Sequence, residues 1–474
     1  MPGLRPDRSV AGIEVTGCTH DSRAIQPGDV YAALPGTHAH GADFAAAAVA
    51  DGAAAILTDP AGAARAGSCG VPVLVADDPR AVLGAVARWV HDDPAAGLLL
   101  LGVTGTNGKT TTAFLLEAGL RAAGHSTALL GTVQTRIVGE VLPSVRTTPE
   151  ATDLQAMFAV MRERGVTAVA MEVSSHALAM GRVDGVAFDV AAFTNLSQDH
   201  LDFHPTMEAY EAAKAQLFTP EHSRRAVVNC DDAAGRRLVR AARIPTTTYG
   251  QDADWSAREV DLRADGSTFR LTGPGVDVKA SVALPGQFNV ANAVCALATL
   301  ITAGVPVDAA VRGVAELSGV PGRMERVEAG QPFLAVVDYA HTPDAVATLL
   351  QTVRGVTSGR VIVVLGCGGD RDRAKRPLMA RAAVEGADIA VFTTDNPRSE
   401  DPMAILAEMS EGAVPAHVEP DRRAAIALAV AHAGPADAVV VAGKGHESGQ
   451  EVGGVVTPFD DRVVLRAALE ALPA

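Results

Sequence analysis

Short apolar runs recur along the chain, and each is followed by a longer stretch that mixes apolar and polar residues. Runs of this length predict buried strands, and the stretches between them, many rich in alanine, predict helices. The strands predicted in this way are 30–34, 53–58, 73–75, 168–173, 186–193, 226–229, 335–337, 361–365, 389–393 and 438–442. Strands that alternate with helices imply a parallel sheet covered on both faces, so we expect an α/β fold.

Three blocks of this pattern follow one another, and we expect one domain from each. The segment HDDPAAG, from His91, has the turn chemistry of a linker, and LSGVPGRMERVE separates the second block from the third. The predicted domains are 1–96, 97–318 and 319–474, and the second closes with a helix that begins near Asn289. A length of 474 residues agrees with about three domains.

Composition narrows the possible partners. Charged residues make up 20% of the chain and the net charge is -15, which argues against nucleic acid as a partner because a binding protein would carry a basic face. The apolar runs are shorter than the about 20 residues that a membrane span requires, and the N-terminus has no signal-peptide core. We therefore expect a cytoplasmic protein without membrane contact.

The stretch Leu98 to Gly124 carries the clearest chemistry of the chain. A run of leucines precedes the glycine-rich segment TGTNGKTT, and a helical pattern follows it. The glycines would let backbone N–H groups point at a polyphosphate. Lys109 would contact its terminal phosphates, and Thr110 would offer its hydroxyl group to Mg²⁺. The spacing departs from the usual phosphate-loop motif by one residue, since the first glycine would fall on Val103. A structural tight turn is the alternative, but the whole arrangement favours nucleotide binding.

Acidic residues stand at the end of one further predicted strand of the second block and after the end of another. Glu172 could hold Mg²⁺ at the end of its strand, or could cap the next helix. The segment TNLSQDHLDFH places Asp199, His200, Asp202 and His204 close together, and its position after an apolar strand favours a metal cluster over a solvated loop. Lys214 lies on the following helix, where spacing alone predicts a solvated surface charge.

In the third block, the last strands end in loops rich in glycine, aspartate, arginine or asparagine. Ligands of open α/β sheets bind outside the carboxyl ends of strands. Asp395 and Glu447 could receive an ammonium group, and Arg398 offers a planar fork suited to a carboxylate, although in isolation it reads as a surface arginine. The segment GCGGD fails the dinucleotide fingerprint because Arg371 stands at its last position, so NAD binding is not expected.

Ten motifs in register give a resemblance that no single motif carries. They are TGTNGKTT, EVSSHAL, TNLSQDHLDFH, YEAAKAQLF, QFNVANAVCAL, PGRMERV, DYAHTPD, GCGGDRDRAKRP, DNPRSED and GKGHE. In this order, across nearly the whole chain, they resemble the Mur ligases. The resemblance implies an N-terminal UDP-binding α/β domain, a central P-loop ATPase-type parallel sheet and a C-terminal Rossmann-like α/β domain.

The resemblance also implies an ATP and Mg²⁺ site. Its nucleotide contacts would be Gly105, Thr106, Asn107, Gly108, Lys109, Thr110, Thr111, Asn292, Arg323, Asp338 and His341. Metal ligands would be Thr110, Glu172, His200 and Lys214, the last as a carbamate that presents a carboxylate. Lys109, Lys214 and His200 would be the catalytic residues.

The implied reaction adds diaminopimelate to UDP-N-acetylmuramoyl-L-Ala-D-Glu through an acyl phosphate. Ser22 and Arg23 would contact the uridine diphosphate, and Thr147, Thr148, Ser174 and Arg182 would hold the muramoyl-dipeptide. Met180 departs from the family pattern, which has a polar residue such as Gln there. The amino-acid contacts would be Arg371, Asp395, Asn396, Pro397, Arg398, Gly443 and Glu447, and DNPR resembles the diaminopimelate-type pattern.

Two alternatives remain open from the sequence. One is a related ligase that adds lysine, or a folylpolyglutamate synthase; the other is a P-loop NTPase that joins nothing. The expected enzyme is an ADP-forming acid–amino-acid ligase that acts as a monomer.

Overall fold

The predicted alternation of strands and helices is present in the computed structural model, which describes residues 4–144 and 146–472. No helix within these residues is both long enough and apolar enough to cross a membrane. The strands form three α/β sheets, a smaller antiparallel sheet and a hairpin. Element labels below follow chain order.

The first sheet has the strand order β1-β5-β4-β3-β2, with β1 antiparallel to β5 and the other pairs parallel. Its strands are β1 Arg5–Pro6, β2 Gly17–Thr19, β3 Asp29–Ala32, β4 Ala55–Thr58 and β5 Val73–Val75. Its helices are α1 Ala45–Ala50, α2 Pro60–Ala66 and α3 Pro79–Val90. Both α2 and α3 begin after an aspartate that accepts backbone N–H bonds, with proline as the first helical residue, as expected for strong N-terminal caps.

The central sheet has the order β13-β12-β11-β6-β10-β7-β8-β9. Its strands are β6 Leu99–Thr104, β7 Thr127–Leu130, β8 Thr135–Ile137, β9 Glu140–Leu142, β10 Ala168–Glu172, β11 Val190–Phe193, β12 Ala226–Asn229 and β13 Thr246–Tyr249. Its helices are α4 Lys109–Ala122, α5 Ala151–Glu163, α6 Ser175–Ala179, α7 Met207–Ala215 and α8 Ala233–Ala241. The sheet is mixed rather than wholly parallel, because β8 and β9 add an antiparallel edge.

An antiparallel sheet and two helices follow before the third block. They are β14 Ser256–Arg263, β15 Gly266–Gly273 and β16 Val276–Val282, then α9 Gln287–Thr302 and α10 Val307–Glu316. Helix α4 packs against both α9 and α10. One face of the antiparallel sheet buries Phe269 and Leu271 in the same core as α4 and α9, so these elements form one packed unit with the central sheet.

The third sheet has the order β17-β18-β22-β19-β20-β21 and is parallel except for β17. Its strands are β17 Glu325–Arg326, β18 Leu334–Asp338, β19 Val361–Leu365, β20 Ile389–Phe392, β21 His417–Val418 and β22 Ala438–Ala442, and a separate hairpin follows with β23 Gly449–Val452 and β24 Val455–Pro458. Its helices are α11 Pro343–Val356, α12 Lys375–Gly386, α13 Pro402–Gly412, α14 Arg422–His432 and α15 Asp461–Glu470.

Most predicted strands lie where the apolar runs placed them. Those at 73–75, 226–229, 361–365 and 438–442 have the predicted bounds. The strand predicted from Val186 begins at Val190, since before it Phe188 makes an isolated bridge rather than a ladder. The helix expected near Asn289 begins at Gln287.

Candidate functional site

The glycine-rich loop between β6 and α4 holds a lysine over its own backbone. Gly108 precedes α4 with a φ of +85°, a left-handed conformation that favours glycine. Lys109 Nζ donates to the carbonyls of Gly105 at 2.9 Å and Thr106 at 2.8 Å. Burial lowers the pKa of Lys109. The loop therefore combines a helix N-terminus with a fixed cation, the arrangement that binds phosphate.

Glu172, at the carboxyl end of β10, is buried and accepts several hydrogen bonds. Thr110 Oγ1 donates to Oε2 at 3.0 Å, and Thr132 donates from its backbone N to Oε1 at 2.8 Å and from Oγ1 to Oε2 at 3.1 Å. Arg323 Nη2, from the segment before β17, donates to Thr110 Oγ1 at 3.1 Å. A carboxylate and a hydroxyl oxygen thus meet beside the phosphate loop, and these are the hard ligands that Mg²⁺ prefers.

Asp199 is the buried acid of the segment after β11. His200 Nε2 lies 3.3 Å from its carboxylate, Lys375 Nζ 3.4 Å and His341 Nε2 3.7 Å. Burial acts to raise the pKa of Asp199, but His341, His200 and Lys375 outweigh it and hold that pKa below its usual value. Burial also lowers the pKa of His200 to about 3, so its imidazole is neutral and able to ligate a metal.

The interpretation of Asp199, His200, Asp202 and His204 as one metal cluster is wrong. Asp202 is exposed, and His204 Nε2 lies 3.0 Å from Ser175 Oγ. The chain turns at His200, whose φ is +55°, and the rings of His200 and His204 pack against His176 at 4.7 and 5.6 Å between centroids. In the part of the chain that the structure describes, no three His, Cys, Asp or Glu side chains are grouped so that they could hold a metal ion.

Lys214, near the end of α7, is fully buried rather than solvated. Its Nζ donates to Gly105 O at 2.8 Å, the carbonyl that Lys109 also contacts, and lies 4.4 Å from the centre of the Tyr210 ring. Burial and the charge of Lys109 lower the pKa of Lys214 well below its ordinary value, against the opposing effect of Asp199. Spacing did not predict this position, because the helix turns its last residues into the central site.

The segment around β17 and β18 brings charged groups to the same site. The Arg323 guanidinium lies 4.3 Å from the centre of the Tyr339 ring. Asp338 accepts hydrogen bonds from the backbone N–H groups of Met324 and Ala340, both at 2.7 Å. Burial raises the pKa of Asp338, while Arg323 and these two N–H groups oppose the rise. Arg323 is thereby held between an aromatic face and the phosphate loop.

Asn292 of α9 and Asn107 of the loop itself connect the phosphate loop to other elements. A Cβ placed on Gly108 would lie 2.4 Å from Asn292 Oδ1, so the amide of α9 sits directly against the loop. Asn292 Nδ2 donates to Asn289 Oδ1 at 3.2 Å. Asn107 Nδ2 donates to Asp344 Oδ2 of α11 at 3.3 Å. The loop is thus in contact with both the central and the C-terminal blocks.

A cavity of about 510 Å³ collects most of the predicted nucleotide and metal residues, together with two of those predicted for the muramoyl-dipeptide. Those that line it are Thr106, Asn107, Gly108, Lys109, Thr110, Thr111, Thr147, Glu172, Ser174, His200, Lys214, Asn292, Arg323, Asp338 and His341. It is also lined by residues that sequence reasoning missed, among them Thr132, Tyr339 and Asp344. A second cavity, of about 200 Å³, lies near β17 and is lined by residues between 326 and 335.

The residues predicted for the muramoyl-dipeptide adjoin this cavity. Thr148 Oγ1 donates to the Glu172 carbonyl at 3.0 Å and accepts from the Ser174 backbone N at 3.1 Å. Arg182 Nη2 lies 2.8 Å from Glu150 Oε1. Burial lowers the pKa of Arg182, an effect that Glu150 opposes. The Thr148 hydroxyl is therefore fixed beside Glu172, and the Arg182 guanidinium is fixed by Glu150.

The departure at Met180 has a local consequence. Arg182 Nη2 lies 3.5 Å from Met180 Sδ, a weak acceptor where an amide would have offered a strong one.

In the N-terminal block, Arg23 forms a paired contact with Asp21 at 2.8 Å and is largely exposed, and Ser22 neighbours Tyr31. Ser22 and Arg23 do not line the large cavity.

The DNPR segment and the loop after β22 are joined by a buried lysine that sequence reasoning missed. Lys444, whose side chain has 0% exposure, donates from Nζ to Asn396 Oδ1 at 2.9 Å and to Glu447 Oε2 at 3.1 Å. Asn396 Nδ2 donates to the same Glu447 oxygen at 2.7 Å. A Cβ on Gly443 would lie 2.6 Å from Asp395 Oδ2. The predicted amino-acid contacts on these two loops are therefore neighbours.

Arg398 is held at the edge of this group with a φ of +53°. Its Nη1 donates to Gly369 O at 2.7 Å, and its Nε lies 3.8 Å from Glu451 Oε2. A Cβ on Gly369 would lie 1.9 Å from Pro397 O, so the glycine-rich loop after β19 packs closely on the DNPR segment. Arg371 is exposed and donates to Asp370 O at 3.0 Å.

The donor set around the phosphate loop suits a polyphosphate with a divalent cation. Lys109 and Arg323 supply positive charge, and Thr110, Glu172 and neutral His200 supply possible metal ligands. The predicted ligands include just two His or acidic residues, so a metal site there needs a further anionic group from the protein or its substrates.

Comparison with known proteins gives matches over most of the chain. Family models match as follows: "Mur ligase family, catalytic domain" over 14–91, "Mur ligase middle domain" over 103–300 and "Mur ligase, glutamate ligase domain" over 322–445. The UDP-N-acetylmuramoyl-L-alanyl-D-glutamate--2,6-diaminopimelate ligase of Streptomyces coelicolor is 58% identical and covers 98% of this chain and 94% of its own. The protein of the same name from Corynebacterium glutamicum is 49% identical, covering 98% and 93%.

Solved structures give the same picture at the level of the fold. The structure of a UDP-N-acetylmuramoyl-L-alanyl-D-glutamate--2,6-diaminopimelate ligase matches with a TM-score of 0.68 and 37% identity, covering 96% of this chain and 95% of that one. A crystal structure of MurF from Acinetobacter baumannii matches with a TM-score of 0.66 over 90% of each chain. At 21% identity, the second likeness concerns the fold alone.

Proposed function

The chain belongs to the Mur ligase family, and we propose that it is the member that joins 2,6-diaminopimelate to UDP-N-acetylmuramoyl-L-Ala-D-Glu at the expense of ATP. Relatives named for this activity are 43–58% identical to it over nearly their full length. The product would be a precursor of peptidoglycan. The domain boundaries near 96 and 318 belong to the same proposal.

The observation that carries the proposal is the composition of the large cavity. The cavity is lined by Lys109 and Glu172 of the central block and by Arg323 and His341 of the C-terminal block. A ligase must bring a nucleotide, a carboxylate and an amine together, whereas an NTPase needs only the first. Residues from two sheets surround one phosphate loop, which supports nucleotide binding. The paired loops at Asp395 and Glu447 support binding of the amine.

The reaction follows from what an amide bond requires. A carboxylate is anionic and its oxygen is a poor leaving group, so it must be activated before an amine can displace it. Transfer of the γ-phosphoryl group of ATP to a carboxylate oxygen of the dipeptide gives an acyl phosphate and ADP. The uncharged amine of the amino acid then attacks the acyl carbon; the C–N bond forms, the C–O bond to phosphate breaks, and the amine releases a proton.

The chain's own residues would assist this transfer by position and charge. Lys109 and Arg323 would offset the negative charge of the phosphate oxygens, and preorganised charges of this kind are a large part of enzymatic rate enhancement. The nucleotide would be held by Gly105, Thr106, Asn107, Gly108, Lys109, Thr110, Thr111, Asn292, Arg323, Asp338 and His341. Closure of the cavity around these groups would keep water from the acyl phosphate.

Mg²⁺ would be held by Thr110, Glu172, His200 and the carbamate of Lys214. When bound, it would neutralise charge on the phosphate oxygens. Burial and the lowered pKa support a carbamate on Lys214, since an amine reacts with carbon dioxide in its uncharged form. The modification would reverse the sign of the side chain and supply the further anionic group that this donor set needs.

The other substrates would bind on either side of the nucleotide. Ser22 and Arg23 would contact the uridine diphosphate, and the muramoyl-dipeptide would meet Thr147, Thr148, Ser174 and Arg182. Diaminopimelate would lie among Arg371, Asp395, Asn396, Pro397, Arg398, Gly443 and Glu447. Within that set, the carboxylates of Asp395 and Glu447 would receive an ammonium group of the amino acid. The planar guanidinium group of Arg398 would receive its distal carboxylate.

A phosphate-release assay tests the proposal directly. The purified protein is given ATP, UDP-N-acetylmuramoyl-L-Ala-D-Glu and each member of an amino-acid panel that includes diaminopimelate and lysine. We expect phosphate release that needs both the UDP-linked dipeptide and diaminopimelate. Release with ATP alone would indicate an NTPase, and release with lysine a lysine-adding ligase. A separate mixture of ATP, a folate and glutamate tests for a folylpolyglutamate synthase, and phosphate release there would indicate that enzyme.

A further inference from the structure

A fully buried ion pair lies behind the loops that carry the proposed amino-acid contacts. Arg422 is the first residue of α14, and Asp461 is the first residue of α15. Both side chains have 0% exposure. Arg422 Nε donates to Asp461 Oδ1 at 2.8 Å and Nη2 to Oδ2 at 2.6 Å, so the pair is bidentate. It fixes the starts of two helices to each other at the carboxyl edge of the third sheet.

The other contacts of the guanidinium reach two strand ends. Arg422 Nη1 donates to Thr394 O at 3.2 Å, and Nη2 donates to Ala442 O at 3.0 Å. Thr394 directly precedes the DNPR segment, and Ala442 directly precedes Gly443. Strand β19 lies between β20 and β22, so no backbone ladder joins these two strand ends to each other in the described sheet. Arg422 therefore ties together loops that the sheet itself leaves separate.

The charges around Arg422 belong to the same site. Burial acts to lower the pKa of Arg422, but Asp461, Asp395 and Glu447 together raise it above its ordinary value. Asp395 and Glu447 are the carboxylates proposed to receive the ammonium group of the amino acid. A permanent cation behind them lowers the repulsion between two carboxylates that must stay close together.

We propose that Arg422, held by Asp461, is a positioning residue that sets the spacing between the Asp395–Arg398 segment and the Gly443–Glu447 loop. The inference rests on the proposed ligase function. A buried ion pair can often be replaced by apolar residues without loss of stability, so stability alone does not require this one. The planar fork that reaches a carboxylate and two carbonyls at once is a property that lysine and apolar residues lack.

The test separates positioning from stability in the full-length protein. The double variant Arg422→Met with Asp461→Leu removes both charges, and Arg422→Lys keeps the charge but loses the fork. For each, the thermal midpoint and the KM values for ATP, the UDP-linked dipeptide and diaminopimelate are measured. We expect folded proteins in which the KM for diaminopimelate rises about 10- to 100-fold, since a misplacement of about 1 Å can cost that much, while the KM for ATP changes less than about twofold.

The amino edge of the same sheet offers a control ion pair, in which the arginine is half exposed. Arg360 Nη2 pairs with Asp437 Oδ2 at 2.8 Å at the amino ends of β19 and β22, far from the loops in question. The double variant Arg360→Met with Asp437→Leu should leave all three KM values unchanged. Equal effects at the two ends of the sheet would overturn the proposal.

The remaining outcomes are equally decisive. A folded Arg422 double variant with the wild-type KM for diaminopimelate would overturn the positioning role. Unfolding of both the double variant and Arg422→Lys would assign the pair to stability and overturn it too. If the wild type used a different amino acid, the proposed substrate would fail, and the same KM comparison with that amino acid would decide the role of Arg422.

Discussion

Lys109 is fixed over the phosphate loop by the carbonyls of Gly105 and Thr106, at the N-terminus of α4. We expect Lys109→Ala to lower kcat by about 10²- to 10³-fold or more, the usual cost of removing a preorganised charge from the transition state. Binding of the UDP-linked dipeptide, measured by calorimetry, should persist because its proposed uridine contacts lie in the N-terminal block. Wild-type turnover in the variant would make the loop a structural turn.

Lys214 occupies a position where a charged amine is costly, because it is fully buried and its pKa is strongly lowered. We expect Lys214→Ala to fold normally, to lose ligation, and to regain part of it when short carboxylates such as acetate are added. Arginine should not substitute, since it cannot carry an anionic group. Mass spectrometry should detect the carbamate in the wild type; full activity of Lys214→Ala would contradict the role.

These residues show how far single positions can be predicted from sequence. The motif around Lys109 has a mechanism of its own, because glycines, a lysine and a helix start belong together in a phosphate loop. Lys214 has no local signal, and its role was expected solely from the family resemblance. Lys444 was missed as a contact and Asp199 was assigned to a metal cluster, because the partners of both lie on other segments, brought near by the fold and not by spacing.

At the scale of elements, the glycine that opens the loop after β22 is a sensitive point. Gly443 has a φ of +115°, and a Cβ there would lie 2.6 Å from Asp395 Oδ2. We expect Gly443→Ala to destabilise the fold by about 1–3 kcal/mol through backbone strain and to raise the KM for diaminopimelate by moving Asp395. Gly275→Ala is the control, because Gly275, in the turn between β15 and β16, also has a positive φ of +71° but nothing within 4 Å of its added Cβ.

The measurements for this pair are thermal unfolding and steady-state kinetics. Both variants should lose stability, and Gly443→Ala alone should change the KM for diaminopimelate. If the two glycine variants had the same kinetics, Asp395 would not contact the amino acid.

The DNPR segment and the hairpin of β23 and β24 together hold Arg398. Arg398 forms an isolated bridge with Val452, and its Nη1 donates to Gly369 O at 2.7 Å. We expect the wild type to prefer diaminopimelate over lysine by roughly 10⁴-fold, because lysine would leave Arg398 without its carboxylate partner. Arg398→Ala should lose most diaminopimelate activity and gain little lysine activity, since removing a penalty does not build a pocket.

Steady-state kinetics of both proteins with both amino acids provide the measurement, and ATP binding is the control because it should be unaffected. Efficient use of lysine by the wild type would reject the substrate assignment.

Elements differ in how well their patterns predict them. The strands β12, β19 and β22, buried along all or nearly all of their length, were predicted within a residue, because continuous apolar runs with turn residues on both sides have few other interpretations. The strands β14 to β16 were not predicted. Their outward faces carry arginine, glutamate and aspartate, and their buried positions gain cover only from α9 and the central sheet.

At the scale of the whole molecule, the family and the three-part α/β architecture predicted from the motifs are confirmed. The order of the motifs was sufficient for this. Several belong to loops at the carboxyl edge of a sheet, whereas YEAAKAQLF and QFNVANAVCAL lie mainly on α7 and α9. The large cavity could not be predicted in detail, since its walls come from segments more than 200 residues apart, such as Thr110 and Arg323 with a separation of 213. The monomeric state and the cytoplasmic location stay predictions.

The contact between Asp199 and Lys375 joins the central block to α12 of the C-terminal block. Both side chains are more than nine-tenths buried and their charged atoms lie 3.4 Å apart. In Lys375→Met, Asp199 would keep its two histidines but lose the permanent cation, and leaving a buried charge without its partner costs about 3–5 kcal/mol. When the two blocks separate, Asp199 regains contact with water, and the free-energy cost of burying its charge without a partner is removed. We therefore expect the variant to favour an open arrangement.

Small-angle scattering with a non-hydrolysable ATP analogue and the UDP-linked dipeptide should give a larger radius of gyration for Lys375→Met than for the wild type. The KM for ATP should rise by at least about tenfold, which corresponds to about 1.4 kcal/mol of lost closure free energy. Lys279→Met, at an exposed position on β16, is the control and should match the wild type in both measurements. If Lys375→Met also matched the wild type, this pair would not hold the two blocks together, and closure would depend on the Arg323 contact with Thr110.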